Sequence, residues 1–178
     1  MTRVRGAFTL VELLVTIAIL GIAGALVIPA MGETNVLRIQ AAVRTIVADI
    51  TFAQSDAVAF QERRALMFDV TGNTYRVIQV PGNALDPANN TLYDPSRTSG
   101  RFVETFTDNK FGGASLLSVD FGNGSRDLIF DALGGPITSP TSNTPSPGGT
   151  IRVTGANQTY RISVESFTGR VTVRSETP

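Results

Sequence analysis

The alternation of apolar and polar positions changes period along this chain. From Leu13 to Met31 the side chains are apolar almost without interruption, with Thr16 as the clear polar exception. At 1.5 Å per residue, Phe8 to Met31 makes roughly 35 Å of helix, enough to cross a bilayer core of about 30 Å. After Gly32 neither Gly nor Pro occurs until Gly72. Within that stretch Val36, Ile39, Val43, Ile46, Ile50, Ala53, Ala57 and Phe60 recur at alternating steps of three and four, which is one face of a helix. Arg38, Arg44, Thr45, Asp49, Ser55, Asp56 and Gln61 fall mostly off that face. Pro29 can kink a helix without ending it. The pattern therefore predicts one helix from about Leu10 to Gln61, its first half apolar and long enough to span a membrane. A coiled coil would use the same seam, but the β-rich sequence that follows favours packing of the second half on the chain's own domain.

From Arg64 the period shortens. Residues 65–70, the turn Thr71-Gly72-Asn73 and residues 74–80 read as a hairpin. Further strands are expected at 101–106, 116–121, 127–130, 150–154, 159–164 and 170–174, with a tight turn at Phe167-Thr168-Gly169. Short strands joined by turns favour antiparallel sheet. Residues 81–100 read as a loop. Residues 134–149, with four prolines and repeated Ser and Thr, read as an exposed and partly mobile one.

Composition narrows the chemistry. The 178 residues contain neither Cys nor His, which removes disulfides, thiol or imidazole metal sites, and nucleophilic catalysis that depends on either. The acids are scattered and nothing in the sequence pairs two carboxylates for acid–base work, so no enzyme is expected, nor any cofactor. Asp86, Asn89, Asn90 and Asp94 supply oxygen ligands within one loop, yet their spacing matches no EF-hand, and solvated turn residues are the better reading. No metal site is expected. The formal net charge is zero, and it becomes −2 if residues 1–7, with Arg3 and Arg5, are removed. A slightly acidic body has no evident field for steering polyanions, so nucleic acid is an unlikely partner.

Glu12 stands in the opening turn of the apolar run, where an acid is costly and calls for a partner. The arginines before the run favour a cytoplasmic N-terminus. An ordinary secretory signal cut near Ala23 or Ala30, or an unprocessed anchor, would leave Glu12 unexplained; a Glu that snorkels to the interface is the plain alternative.

Residues 6–14, GAFTLVELL, resemble the prepilin signal shared by type IV pilins and type II secretion pseudopilins. The resemblance implies cleavage by a prepilin peptidase before Phe8 and methylation of the new amino group. A cut between Ala7 and Phe8 makes Glu12 the fifth residue, the place of the family's Glu. The family usually has Gly before the cut, and a cut after Gly6 would make Glu12 the sixth. Pro29 falls where such proteins often carry a helix-loosening proline. The resemblance also implies that Glu12 meets the N-terminal amine of a neighbouring subunit and so sets register in a filament.

The body of the chain resembles the GspH/FimT family through residues 37–42, 52–57, 130–134 and 168–173. That likeness implies an α+β pilin-like fold, a long helix packed on two antiparallel sheets. The expected layout is a leader over 1–7, a transmembrane or filament-core helix over 8–31, an amphipathic continuation over 32–62 and a β-rich periplasmic domain over 63–178. The function implied is that of a minor pseudopilin near the tip of a type II secretion pseudopilus, anchored in the inner membrane by a single span. Its expected partners are other pseudopilins or pilins, the prepilin peptidase and, indirectly, the assembly platform. Assembly energy comes from a partner ATPase, since no phosphate-binding loop motif is present. The alternative is a FimT-like minor pilin that takes up DNA, with Arg170 and Arg174 as candidate contacts beside Arg152 and Arg161. Thr172 stands where such pilins tend to carry a further basic residue.

Overall fold

The structure, a computed structural model, describes residues 9–97, 99–107 and 109–176, with side chains except at 26–35 and 109. The chain divides into two compact units, Met1–Thr34 and Asn35–Pro178. One helix, α1, spans Leu10–Phe60, within a residue of the helix that the periodicity predicts. Thr9 caps it: its hydroxyl accepts the Glu12 N–H at 3.2 Å, satisfying a donor that the first turn leaves open.

In the first unit, Leu10–Ala25 exposes large apolar side chains all round, from Leu10 to Ile22. Among the described residues no helix is long and apolar enough to cross a membrane. Leu10–Ala25 alone covers roughly 24 Å, and the apolar run in the sequence continues past it to Met31.

Among the described residues of the second unit, nine strands form two antiparallel sheets. Sheet I has the order β3-β2-β1-β5-β6, with β1 Arg63–Asp69, β2 Thr74–Val80, β3 Val103–Thr105, β5 Asp127–Phe130 and β6 Pro136–Ile137. Sheet II has the order β4-β7-β8-β9, with β4 Ser115–Asp120, β7 Gly149–Gly155, β8 Gln158–Val164 and β9 Val171–Glu176. A 3-10 turn, η1, occupies Asn109–Phe111.

The helix face formed by Ile39, Ala42, Val43, Ile46, Ile50, Ala53 and Ala57 is buried. It makes one core with Leu66, Phe68, Tyr75, Val77, Leu128 and Phe130 of sheet I and Leu116, Ile151, Val153, Ile162 and Val164 of sheet II. Removing a buried aliphatic side chain such as Ile46 costs about 2–5 kcal/mol. Three side chains depart from the expected face. Val36 is only half-buried, Phe60 is 65% exposed and lies under the Arg64 guanidinium, and Asp49, expected outside, is buried. Asp49 turns inward because Tyr75 and Arg97 supply partners there.

Sheet I is apolar on its second face too, where Ala65, Ile78, Val80, Ile129 and Ile137 cluster with Met67 and Leu85. This corrects the reading of 134–149 as an exposed loop at its two ends, where Gly134, Pro136, Ile137, Ser146 and Gly148 are buried. Pro136 and Ile137 form β6 against Phe130 and Ile129. Thr138 N–H then donates to Thr144 O, and Ser146 N–H to Pro136 O. The Arg63 guanidinium fastens the tip, reaching Pro140 O at 2.5 Å and the Asn143 side chain at 2.7 Å. Apolar side chains at the base of a proline-rich segment are enough to order it once a sheet face needs covering.

The two sheets are stitched by Asn73 in the β1–β2 turn, whose left-handed backbone (φ 52°) turns the side chain toward sheet II. Its amide donates to Ala114 O at 3.2 Å and accepts the Leu116 N–H at 2.8 Å.

Candidate functional site

The groups expected to process the N-terminus, Gly6, Ala7 and Phe8, lie outside the described residues, and so does the side chain of Pro29. Glu12 is described. It is exposed in the first turn of α1, three residues after the Thr9 cap. Thr9-x-x-Glu12 is a capping-box spacing, and an acid at a helix N-terminus is favoured by the helix dipole. Helix initiation is thus a second use for Glu12 that the reading of a misplaced acid passed over, although the T-x-x-E spacing is itself visible in the sequence.

The loop acids expected to stay solvated are occupied by their own turns. Asp86 accepts the N–H groups of Ala88 and Asn89 at 3.1 Å each and the Asn89 amide at 2.7 Å. Asp94 accepts from Ser96 and Arg97. These hydrogen bonds hold both carboxyls below the usual carboxylate range. Asn90 sits with them in the exposed loop and contributes its backbone carbonyl to Gln79 N–H.

Sequence reasoning missed a buried ionic cluster. Asp49 of the helix joins Asp94 and Glu104, which flank Arg97 closely in the chain, on the Arg97 guanidinium. Lys110 reaches the other oxygen of Glu104 at 2.6 Å, and the Tyr75 hydroxyl donates to Asp49. Arg97 also lies over the Phe102 ring at 4.6 Å, and Phe102 stacks on Phe52 of the helix. Burial raises the Asp49 carboxyl, opposed by Tyr75 and Arg97. Burial, then the Asp49 charge, hold the Tyr75 phenol well above its ordinary value. Each acid in the cluster has a cation or a hydroxyl on it, so the group locks the helix to β2 and to the segment leading into β3. A second lock closes the far end of the helix. Arg64 on β1, 3% exposed, pairs with Asp56 and Glu62.

At the C-terminal sheet the candidate DNA contacts separate. Arg170 lies in the β8–β9 turn and is held by Glu165 through bonds of 3.1 and 2.5 Å. Gly169, at φ 66°, donates to Glu165 O while Glu165 N–H reaches Arg170 O, so two residues oppose one in a G1 bulge. Arg174 stands on β9 opposite Arg161, which stands opposite Arg152 on β7. Three arginines thus share one row across sheet II. Glu176 is paired with Arg152 and Arg161. Among the described residues Arg174 has no ion-pair partner.

Two family profiles match the chain: a prokaryotic N-terminal methylation motif over residues 2–28, and the type II transport protein GspH over residues 42–169. No curated protein matches it. Among solved structures it is similar to the minor pseudopilin EpsH of the Vibrio cholerae type 2 secretion system, in two crystal structures. In the first the TM-score is 0.54 at 9% identity, over 78% of this chain and 97% of that one. In the second it is 0.50 at 11% identity, over 79% and 97%. The type IV minor pilin FimU of Pseudomonas aeruginosa matches at a TM-score of 0.49 and 15% identity, over 78% and 92%. At these identities the EpsH likeness establishes the fold: a long helix with two antiparallel sheets.

Proposed function

The chain belongs to the GspH family, and from that premise we propose that it is a minor pseudopilin of a type II secretion system. It is a structural subunit that sits near the tip of the pseudopilus and assists export of folded proteins. The observation that carries this reading is the joining of a methylation motif over residues 2–28 to a GspH body over residues 42–169 on one chain. The precursor is held in the inner membrane by the apolar half of α1, with the β domain in the periplasm. A prepilin peptidase cuts between Ala7 and Phe8, and Phe8 is methylated. Pro29 loosens the helix so that the apolar half can adjust as it packs among other pseudopilins. Glu12, exposed in the first turn, meets the amine of a neighbouring subunit. Two opposite charges that leave water together cost less than either alone, so the pair selects one axial register. The chain does no chemistry of its own.

Uptake of DNA by a FimT-like pilin has less support. Arg170 is engaged by Glu165, and Arg152 and Arg161 by Glu176, so phosphates would have to displace carboxylates from most of the row.

The test is replacement of Glu12 with Val in cells that assemble the filament. Membrane insertion is expected to persist and incorporation to fail, and normal incorporation would refute the register role. Mass spectrometry of the mature chain should find methyl-Phe at position 8; an intact Met1, or a new terminus near Met31, rejects the processing.

A further inference from the structure

The two sheets have four edges, and three of them are blunted. β3 has three residues and β6 two. The pairing of β4 breaks register between Leu116 and Ser118. Short and bulged strands are how proteins protect their edges. β9 is different. It pairs with β8 in unbroken register from Val171 to Glu176, and it is the last strand of its sheet.

The G1 bulge settles which backbone groups of β9 are open. Glu165 bonds to Arg170 O, so the hydrogen-bonded pairs that follow along the ladder are Ser163 with Thr172 and Arg161 with Arg174. The N–H and C=O groups of Val171, Val173 and Ser175 therefore point away from the sheet. Among the described residues no backbone hydrogen bond ends on them.

Beside this edge lies a groove of about 430 Å3 between α1 and the β8–β9 end of the sheet. Val43, Val47 and Ala48 of the helix line one side, and Tyr160 and Val173 the other. Val173 is 44% exposed. Among the described residues no acid lines the groove, and Arg44 stands on its helical wall. On the opposite face of the sheet the row Arg152–Arg161–Arg174 ends at the same edge. Like charges directly opposite one another are destabilising, and Glu176 offsets Arg152 and Arg161 only.

We propose that the β9 edge and this groove form a docking site for an extended segment of a partner protein whose apolar side chains alternate with acidic ones. Added as a fifth strand, the segment bonds to the outward backbone groups of Val171, Val173 and Ser175. Side chains opposite Val173 enter the groove over Val47 and Tyr160. Those opposite Arg174 fall on the other face, where a carboxylate completes the arginine row. The period of two that any strand imposes sends apolar residues to the groove and acids to the arginines. This inference does not depend on whether the filament serves secretion or a pilus.

The experiment uses the full processed chain in detergent micelles and a short fluorescent peptide alternating valine and glutamate, read by anisotropy. A valine–lysine peptide is the control. Saturable binding of the glutamate peptide is expected, at least about tenfold tighter than the lysine peptide, as for a charge pair of opposite against like sign. Arg174→Glu should reverse the preference. Val173→Pro removes an N–H that faces away from β8, which an edge strand tolerates, and should abolish binding; Val173→Asp is the second variant should the proline unfold the sheet. Failure of the glutamate peptide to bind overturns the proposal, as does equal binding of the two peptides or undiminished binding by both the Arg174 and Val173 variants. A dimer in sedimentation that Val173→Pro dissolves would assign the edge to a second copy, and duplex DNA displacing the peptide would assign the row to phosphates; either outcome overturns it too.

Discussion

Replacing Tyr75 with Phe tests the lock between helix and sheet most directly. The ring of Tyr75 is fully buried, with Phe68 at 5.3 Å and Phe106 at 5.7 Å between centroids, and those contacts survive the change. What is lost is one oxygen, and with it the donor to Asp49, a carboxylate only 8% exposed. Asp49 keeps Arg97, at 3.2 Å, but no water replaces the hydroxyl easily. A hydrogen bond to a charged, buried partner contributes about 1.5–3 kcal/mol. For a domain of this size that corresponds to a fall in Tm of roughly 4–9 °C. The assay is urea unfolding of residues 35–178, the unit that contains the described buried core from Ile39 onward. A cycle with Asp49→Leu isolates the pair, because deleting both partners removes the unsatisfied group. The pH dependence has a definite sign. A phenol whose folded pKa lies well above 10.0 contributes stability that is complete below pH 10 and is lost as pH rises through the folded value. The Phe variant should therefore lose less stability than the parent between about pH 10 and 12. A cost below about 0.5 kcal/mol, the level of an ordinary surface change, together with an unaltered alkaline limb, would refute the reasoning.

Gln54→Ala frees two carbonyls, those of Gly134 and Thr168, each held at 2.8 Å by the Gln54 amide. It should cost about 1–2 kcal/mol in the same urea experiment and speed hydrogen exchange in both loops, and unchanged exchange would mean that the loops hold themselves. Gly169→Ala places a Cβ 2.8 Å from Gln54 Nε2 and 2.9 Å from Phe130 at φ 66°, so a loss of about 1–3 kcal/mol is expected; a variant as stable as the parent would show that the bulge relaxes. Retention of duplex DNA at physiological salt should be negligible and unaffected by Arg170→Ala with Arg174→Ala. Retention that falls steeply with salt and disappears in that variant would favour the uptake reading.

What the sequence determined by itself was local. The steps of three and four between Val36 and Phe60 specify a helix whatever surrounds it, and α1 ends at Phe60, one residue short of the expected Gln61. The strand candidates at 74–80 and 127–130 became β2 and β5 at the expected bounds. The GAFTLVELL stretch carries its meaning in consecutive residues, and the methylation motif over 2–28 covers it. The tertiary structure decided whatever depends on partners distant in the chain. Asp49 is polar by composition and inward by contact, because Tyr75 and Arg97 arrive from 26 and 48 residues away. Residues 134–149 look like loop because glycine, proline, serine and threonine fill them, but Ile137 has an apolar sheet face to cover. Arg152, Arg161 and Arg174 are scattered in sequence and aligned in space, since strand register is set by pairing across the sheet and not by spacing along the chain. The same pairing left β9 as the one full-length, regular edge, a property of the whole sheet that no single segment encodes.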